Sequence, residues 1–289
     1  MSLRTASACY HREMDESTSL PEFEPHRYLS APWRMGYLSK SSPAPGCVFC
    51  EKLADDDDAG NLVVWRDERF AAVMNLYPYS TGHLMLMPYA HVASPEDLAD
   101  PKIMAEIARE IPTTMRAMRK VLRCQGFNTG MNTGTVAGAG IADHMHMHLV
   151  PRWSGDANFM PIVANVTVMP EALSVTYAKL RAQLIVEHDG PSPIQALVFS
   201  ADESSILLLG SGLDPLPVTM MDDQRSLFTS MDSDLAALGI DAVIAGWAGD
   251  ATVVWKARHD RAPLKGYWVP LDSLPEPFAS LATEAQTRL

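Results

Sequence analysis

The segment His144-Met145-His146-Met147-His148 alternates histidine with methionine without a break. Alternate residues of an extended strand share a face, so this spacing predicts three imidazoles on one side of a sheet and two thioethers entering the core behind it. A chance cluster is the blandest reading, and three histidines at that period can also ligate a transition metal. The residues just before them, 126–143, read GFNTGMNTGTVAGAGIAD and carry Asn132, Gly134, Gly138 and Gly140. Glycine-rich turns bring backbone amides close to a phosphate. Imidazoles beside such a turn point to phosphoryl chemistry.

Upstream, NLVVWRD at 61–67, FAAVMNL at 70–76 and HLMLMPY at 83–89 read as short apolar strands separated by turn residues. The run Asp55 to Asp58 before them reads as a solvated loop, since four adjacent carboxylates cannot all face one ion. Ser94-Pro95 and Asp100-Pro101 are successive helix starts, an oxygen cap followed by proline. Ile103, Met104, Ile107, Ile111, Met115, Met118, Val121 and Leu122 then recur at helical spacing, with Pro112 expected to bend the helix and the methionines to fill the core. Downstream, an amphipathic helix is expected from about Pro170 to Val186, followed by a linker around His188 to Pro193.

The chain divides by this reading into a leader with a docking arm (1–46), a central domain (47–190) and an accessory mixed α/β domain (191–289). The arm holds Trp33 and Tyr37, large surfaces that ask for a partner. In the last part, ALVF, ILLLGSG, AVIAGWAG and TVVWKAR read as strands, with helices at roughly 222–238 and 275–287, and Trp247, Trp255, Tyr267 and Trp268 as core or interface. A hydrophobic fraction of 47% with 20% charged residues excludes a mostly disordered chain. The net charge of −12, without a basic stripe, argues against nucleic acid and anionic bilayers as partners. With no long apolar run and no export signal at the start, the expected location is cytoplasmic.

Taken together, these residues resemble the histidine-triad nucleotide-binding proteins, whose hallmark is His-φ-His-φ-His-φ-φ, here HMHMHLV. The resemblance takes in Asn75, Gly82-His83 to Pro88, His91, Asn132 to Gly140 and Pro151-Arg152-Trp153 to Asp156, and spans roughly residues 31–186. The APWRMGYL arm, CVFC, NLYPYSTGHLMLMPY and HLVPRWSGDANF look like the bacterial branch that includes diadenosine tetraphosphate phosphorylases. The resemblance implies an α+β fold, an antiparallel sheet of about five strands with packed helices, and a homodimer. It implies His146 as nucleophile, a neutral imidazole attacking the α-phosphate to form a nucleotidyl-histidine. The main-chain carbonyl of His144 would orient the His146 ring, and His148 and His83 would contact or protonate phosphate oxygens. Asn75 would meet the ribose, Asn132 and the amides around Gly138 and Gly140 the phosphates, and Trp153 would stand beside the substrate. Gly140 departs from the usual Ser or Thr at its position, with Thr135 as a substitute.

Cys47 and Cys50 form a CxxC pair, half of a structural zinc site; the other readings are two small buried side chains or, least favoured, a redox pair. In the resembling proteins the remaining ligands are a histidine after the Met-Pro motif and the first triad histidine, which implies His91 and His144 and a structural zinc with no organic cofactor. The implied activity is cleavage of a dinucleoside polyphosphate, by phosphate or by water. A nucleoside phosphoramidase, a nucleotidyltransferase and a nucleotide-sensing regulatory module are the alternatives.

Overall fold

The computed structural model of the protein describes residues 46–156, 171–189, 195–208, 216–217, 227–249, 252–259, 262–263, 267–274, 276 and 278–287. The expected docking arm around Trp33 and Tyr37 lies outside them. Five strands, β1 (Val63–Arg66), β2 (Phe70–Met74), β3 (Leu84–Pro88), β4 (Gly126–Met131) and β5 (Met147–Arg152), pair antiparallel in the order β1-β2-β3-β5-β4. Their alternation sorts the side chains. Val64, Phe70, Ala72, Met74, Leu84, Leu86 and Leu149 join one core cluster, whereas Val63, Ala71, Val73, Met85 and Met87 join a second on the opposite face. Both faces of β2 and β3 are covered, so these strands are apolar throughout.

Helix α1 (Val48–Ala54) covers the second face with Phe49 and Leu53. The one-turn α2 (Asp58–Asn61) follows, its first turn closed by Asp57, whose carboxylate accepts the Gly60 N–H at 3.0 Å. Helix α3 (Lys102–Leu122) lays Ile103, Ile107, Ala117 and Met118 on the first face. It runs as one helix through Pro112 and ends where Arg123 turns left-handed at φ 53°.

Two expectations need correction. The acidic run is not simply a solvated loop: Asp58 pairs with Arg66 at 2.7 Å and with Arg181 at 3.0 Å, its side chain 19% exposed. Helix α4 (Leu173–Asp189) is also not amphipathic. Thr176, Tyr177, Ala178, Leu180, Ala182, Gln183, Leu184 and Val186 are all buried, which is the pattern of a helix enclosed on most sides. It packs against α3 and β1 on one side, and a second sheet covers the rest.

That sheet contains β6 (Gln195–Phe199), β7 (Ser205–Leu208), β8 (Leu216–Pro217), β9 (Ala242–Ala248), β10 (Thr252–Ala257) and β11 (Tyr267–Pro270). The order is β11-β7-β6-β10-β9 with β8 beside β6; β6 and β10 are parallel and the other pairs antiparallel. Helices α5 (Leu227–Ala237) and α6 (Phe278–Gln286) complete this region. One core cluster runs without interruption from Leu84 and Met118 through Leu180 and Leu184 to Val198, Trp247 and Trp255. Burying Leu180 and Leu184 stabilises the joint by about 1.5–3 kcal/mol each. Arg181 fixes its polar side, donating to Asp58 Oδ2 at 3.0 Å and to the Val63 carbonyl at 3.1 Å, with its guanidinium 5.7 Å from the Trp247 ring. No described helix is long and apolar enough to cross a membrane.

Candidate active site

Strand β5 begins at Met147, and His144 and His146 stand on the extended approach to it, held by the Met145 N–H donating to Val92 O at 2.7 Å. Met145, Met147 and Leu149 pack with the helical core, while His144 and His146 face Phe49 on the other side of the sheet. His83, just before β3, joins them from the neighbouring strand. The turn that delivers it depends on Gly82, at φ 77°, where a Cβ would also sit 2.4 Å from Leu122 Cδ1.

His146 is 5% exposed and donates Nδ1–H to the His144 carbonyl at 2.9 Å. That bond leaves Nε2 with its lone pair. Burial pushes the His146 pKa below the ordinary histidine value, only partly opposed by the same carbonyl, so the ring is neutral at pH 7. His148 is the nearest triad ring, its centroid 4.8 Å away and nearly perpendicular. His83, fully buried, lies 2.9 Å from His148, Nε2 to Nδ1. The other His83 nitrogen accepts the Tyr79 N–H at 3.2 Å. Burial, reinforced by His148 and His146, pushes the His83 pKa down to about 3, so this ring too is neutral. A neutral His83 with Nδ1 accepting must carry its proton on Nε2 and donate to His148 Nδ1. A neutral His148 then carries its own proton on Nε2. The cluster thus sets the His146 Nε2 lone pair beside the His148 ring.

The glycine-rich loop hangs from the end of β4. Gly130 pairs with His148 and Met131 with Met147, and Asn132 is the first residue beyond that pairing. Gly134 and Gly138 adopt φ 79° and 87°. A Cβ at either meets nothing within 4 Å, so glycine is required there by the backbone and not by crowding. The Gly138 N–H is spent inside the turn, donating to Thr135 O at 3.0 Å, which corrects the expectation that it is turned toward a phosphate. Gly140 is exposed. Asn75 follows β2, its Oδ1 accepting the Tyr77 N–H at 2.8 Å, an Asx turn that leaves its NH2 as a donor. Trp153 is placed elsewhere: it packs with the helical core and donates Nε1–H to Leu122 O at 3.2 Å. Odd-numbered residues of this strand point away from the imidazoles.

Cys47, Cys50, His91 and His144 form a second cluster, their ligand atoms all within 4.8 Å of one another. Both sulfurs lie 3.5 Å from His144 Nδ1, and Cys50 Sγ lies 3.4 Å from His91 Nδ1. A tetrahedral ion with bonds of about 2.3 Å to sulfur and about 2.0 Å to nitrogen sets such S···N edges at about 3.5 Å, so the four residues fit zinc. His144 Nε2–H donates to Pro88 O at 2.8 Å, which fixes the tautomer that leaves Nδ1 for a metal. Burial and the neighbouring Cys47 push the Cys50 thiol above its ordinary pKa, a penalty that a bound cation reverses.

Two residues of the site escape sequence reasoning, Phe49 and Tyr79. Phe49 lies between the two cysteines and meets His144 and His146 edge-on at 5.6 and 5.1 Å. Tyr79 stacks on His83 at 4.7 Å. An aromatic inside the CxxC spacing was the one available signal for the first; the second lies in the NLYPYSTGHLMLMPY stretch, where the resemblance gave it no role.

Residues 58–155 match the family model of the HIT domain. Over 156 residues, the chain is 43% identical to the AP-4-A phosphorylase of Mycobacterium tuberculosis, a match covering 51% of this chain and 79% of that one. It is 27% identical over 121 residues to the adenylylsulfatase HINT3 of Arabidopsis thaliana, covering 42% and 59% of the two chains. Among solved structures, a zinc-bound histidine triad family protein from Mycobacterium smegmatis is 27% identical with a TM-score of 0.40, covering 48% of this chain and 93% of that one.

Proposed function

We propose, because the chain belongs to the histidine-triad family, that it is an enzyme cleaving dinucleoside polyphosphates such as diadenosine tetraphosphate at the α-phosphate, through a nucleotidyl-His146 intermediate. The observation that carries the reading is the His146 ring itself, buried and neutral, with Nδ1–H tied to the His144 carbonyl and Nε2 left as a lone pair beside His148. In the first step that lone pair forms a bond to the α-phosphorus, and the bond from phosphorus to the bridging oxygen breaks, its electron pair leaving with the polyphosphate. The His148 N–H donates to the oxygen on which charge builds. A polyphosphate is a stable anion at pH 7 and leaves without first being protonated. In the second step inorganic phosphate, or water giving up a proton, attacks phosphorus and returns the electron pair to Nε2.

Asn132 is read as donating to the phosphates and the Asn75 NH2 to a ribose hydroxyl, while the glycine loop supplies its shape, with Gly140 at its exposed end. The metal centre is read as zinc held by Cys47, Cys50, His91 and His144. Zinc there has a structural role: it ties α1 to the segment that presents His146. A cytoplasmic homodimer completes the reading, and the outer edge of β4, unpaired among the described residues and exposed at Asn128 to Gly130, is where a second copy would extend the sheet.

Chromatography of the products from diadenosine tetraphosphate, with and without inorganic phosphate, tests the proposal. ADP with ATP, formed only when phosphate is present, is the expected result. AMP with ATP, indifferent to phosphate, would keep the nucleotidyl-histidine and make water the acceptor. No product from the tetraphosphate, together with turnover of adenosine 5′-phosphoramidate, would replace the reading with a phosphoramidase.

A further inference from the structure

We infer that Arg152 is a specificity residue of the site: resting on the proposed reaction, its guanidinium holds the phosphates beyond the cleaved bond and so selects nucleotides with a long polyphosphate chain. Strand alternation puts it there. Met147 and Leu149 pack with the helical core, so His148, Val150 and Arg152 share the opposite face, that of the imidazoles. On β4, Phe127 and Met131 also belong to the core, which leaves Asn128, opposite Val150, and Gly130, opposite His148, on the imidazole face. The β3 residues on that face are Met85 and Met87. Of the residues that β3, β4 and β5 turn to the imidazoles, Arg152 is therefore the one with a permanent positive charge.

Three hydrogen bonds fix the direction of its side chain. Nε and Nη2 donate to the two Asp156 carboxylate oxygens at 2.6 and 2.7 Å, a bidentate pair that sets the plane of the guanidinium, and Nη1 donates to Asn128 Oδ1 at 2.7 Å. Asn128 stands opposite Val150, two residues nearer His148 than Arg152 itself, so this bond leans the guanidinium back along the face toward the triad. Three of the five N–H donors of an arginine are spent in this way, and among the described residues one remains on each Nη. The Arg152 side chain is 45% exposed, too open for its pair with Asp156 to add much stability. A polyphosphate asks for such a cation, because His146 and His83 are neutral and the leaving chain carries several negative charges. That chain, bonded through the α-phosphorus at His146, passes His148 and then meets Asn128 and Arg152. The retained nucleoside lies in another direction, since Asn75 follows β2 and stands across β3 from β5. The level of Val150 is four residues, about 13 Å, from His146, so Arg152 bears on the far phosphates and not on the α-phosphate or the acceptor.

Equilibrium titration of the full chain with AMP and with diadenosine tetraphosphate tests this, in a His146→Ala background that prevents turnover. The background protein is expected to bind the tetraphosphate about tenfold or more tighter than AMP. Adding Arg152→Gln should weaken the tetraphosphate by about tenfold or more and AMP by no more than about twofold, because a charge-assisted fork to phosphate is lost. Asn128→Ala leaves the Asp156 pair in place and removes the lean of the guanidinium. It should weaken the tetraphosphate about threefold and AMP by no more than about 1.5-fold, and it decides the question if Arg152→Gln fails to fold. In the active enzyme, Arg152→Gln should raise KM for diadenosine tetraphosphate, with kcat and the KM for inorganic phosphate within about twofold. Equal weakening of both nucleotides, as a merely structural Arg152 would give, would overturn the inference. So would unchanged tetraphosphate binding in the variants, a background protein that binds the tetraphosphate no tighter than AMP, or a loss confined to kcat or to phosphate. A background protein that binds neither nucleotide would remove the proposed function and this role with it. Tetraphosphate binding that weakens as expected, in a chain whose wild type shows no turnover, would sink the reaction alone.

Discussion

Replacing His146 with alanine is expected to lower kcat on diadenosine tetraphosphate by at least about 10³-fold while leaving the fold intact, because covalent catalysis has no second nucleophile to fall back on here. The other rings cannot take over. His144 Nδ1 is turned into the cysteine cluster and its Nε2–H is bound to Pro88 O, while His83 is bonded on both nitrogens. His148 Nδ1 is engaged by His83 at 2.9 Å. The fold should survive because the His146 ring contributes one hydrogen bond, to a carbonyl two residues away, and an edge contact with Phe49. Kinetics and a thermal melt on the same preparation check both halves. A variant that melts like the wild type yet keeps a tenth of its turnover would remove His146 from the mechanism.

Stripping the metal with a strong chelator, or replacing Cys50 with serine, is expected to lower Tm by about 6–16 °C. The four candidate ligands come from the start of α1, from the segment after β3 and from the approach to β5, so one ion bound there would close loops of 41 to 97 residues. Structural zinc contributes on the order of 10 kcal/mol to small domains that cannot fold without it. This domain has its own core, so a loss of about 3–4 kcal/mol is a fair expectation, and each kcal/mol moves Tm by about 2–4 °C in a chain of this size class. Activity should fall as well, since His144 would both ligate the metal and offer the carbonyl that orients His146. Elemental analysis showing no bound zinc in protein purified without chelator, with a Tm insensitive to Cys50→Ser, would leave the cysteines as buried small side chains.

Much of the site is legible in the sequence because its signals are periodic or fixed in spacing. The His-Met alternation needs only the geometry of a strand to become one face of imidazoles, and the β1 to β3 segments read as strands because their apolar residues run unbroken between turn signals. Trp153 shows the same rule applied too little. Counting by twos from Met145 puts it with Met147 and Leu149, and there it lies, against the core. What the sequence hides are contacts made across the chain. Phe49 reaches His146 over a separation of 97 residues, and the stacking of Tyr79 on His83 depends on how a turn folds back. The helix at 173–189 misleads for a different reason: its periodicity is blurred because two sheets bury it from different sides, and only a second sheet explains a helix so thoroughly buried. Asp58 likewise reads as part of a charge run until Arg66 and Arg181 are seen to meet it.

The nucleotidyl-histidine is the centre of the account, and trapping it is the most direct test. Protein mixed with diadenosine tetraphosphate in the absence of added phosphate, quenched within a turnover under conditions that preserve a P–N bond, should gain the mass of one adenylyl group on the peptide that contains His146. His146→Ala should gain none. Full turnover with no labelled peptide at any quench time, or a label on a different residue, would contradict the mechanism.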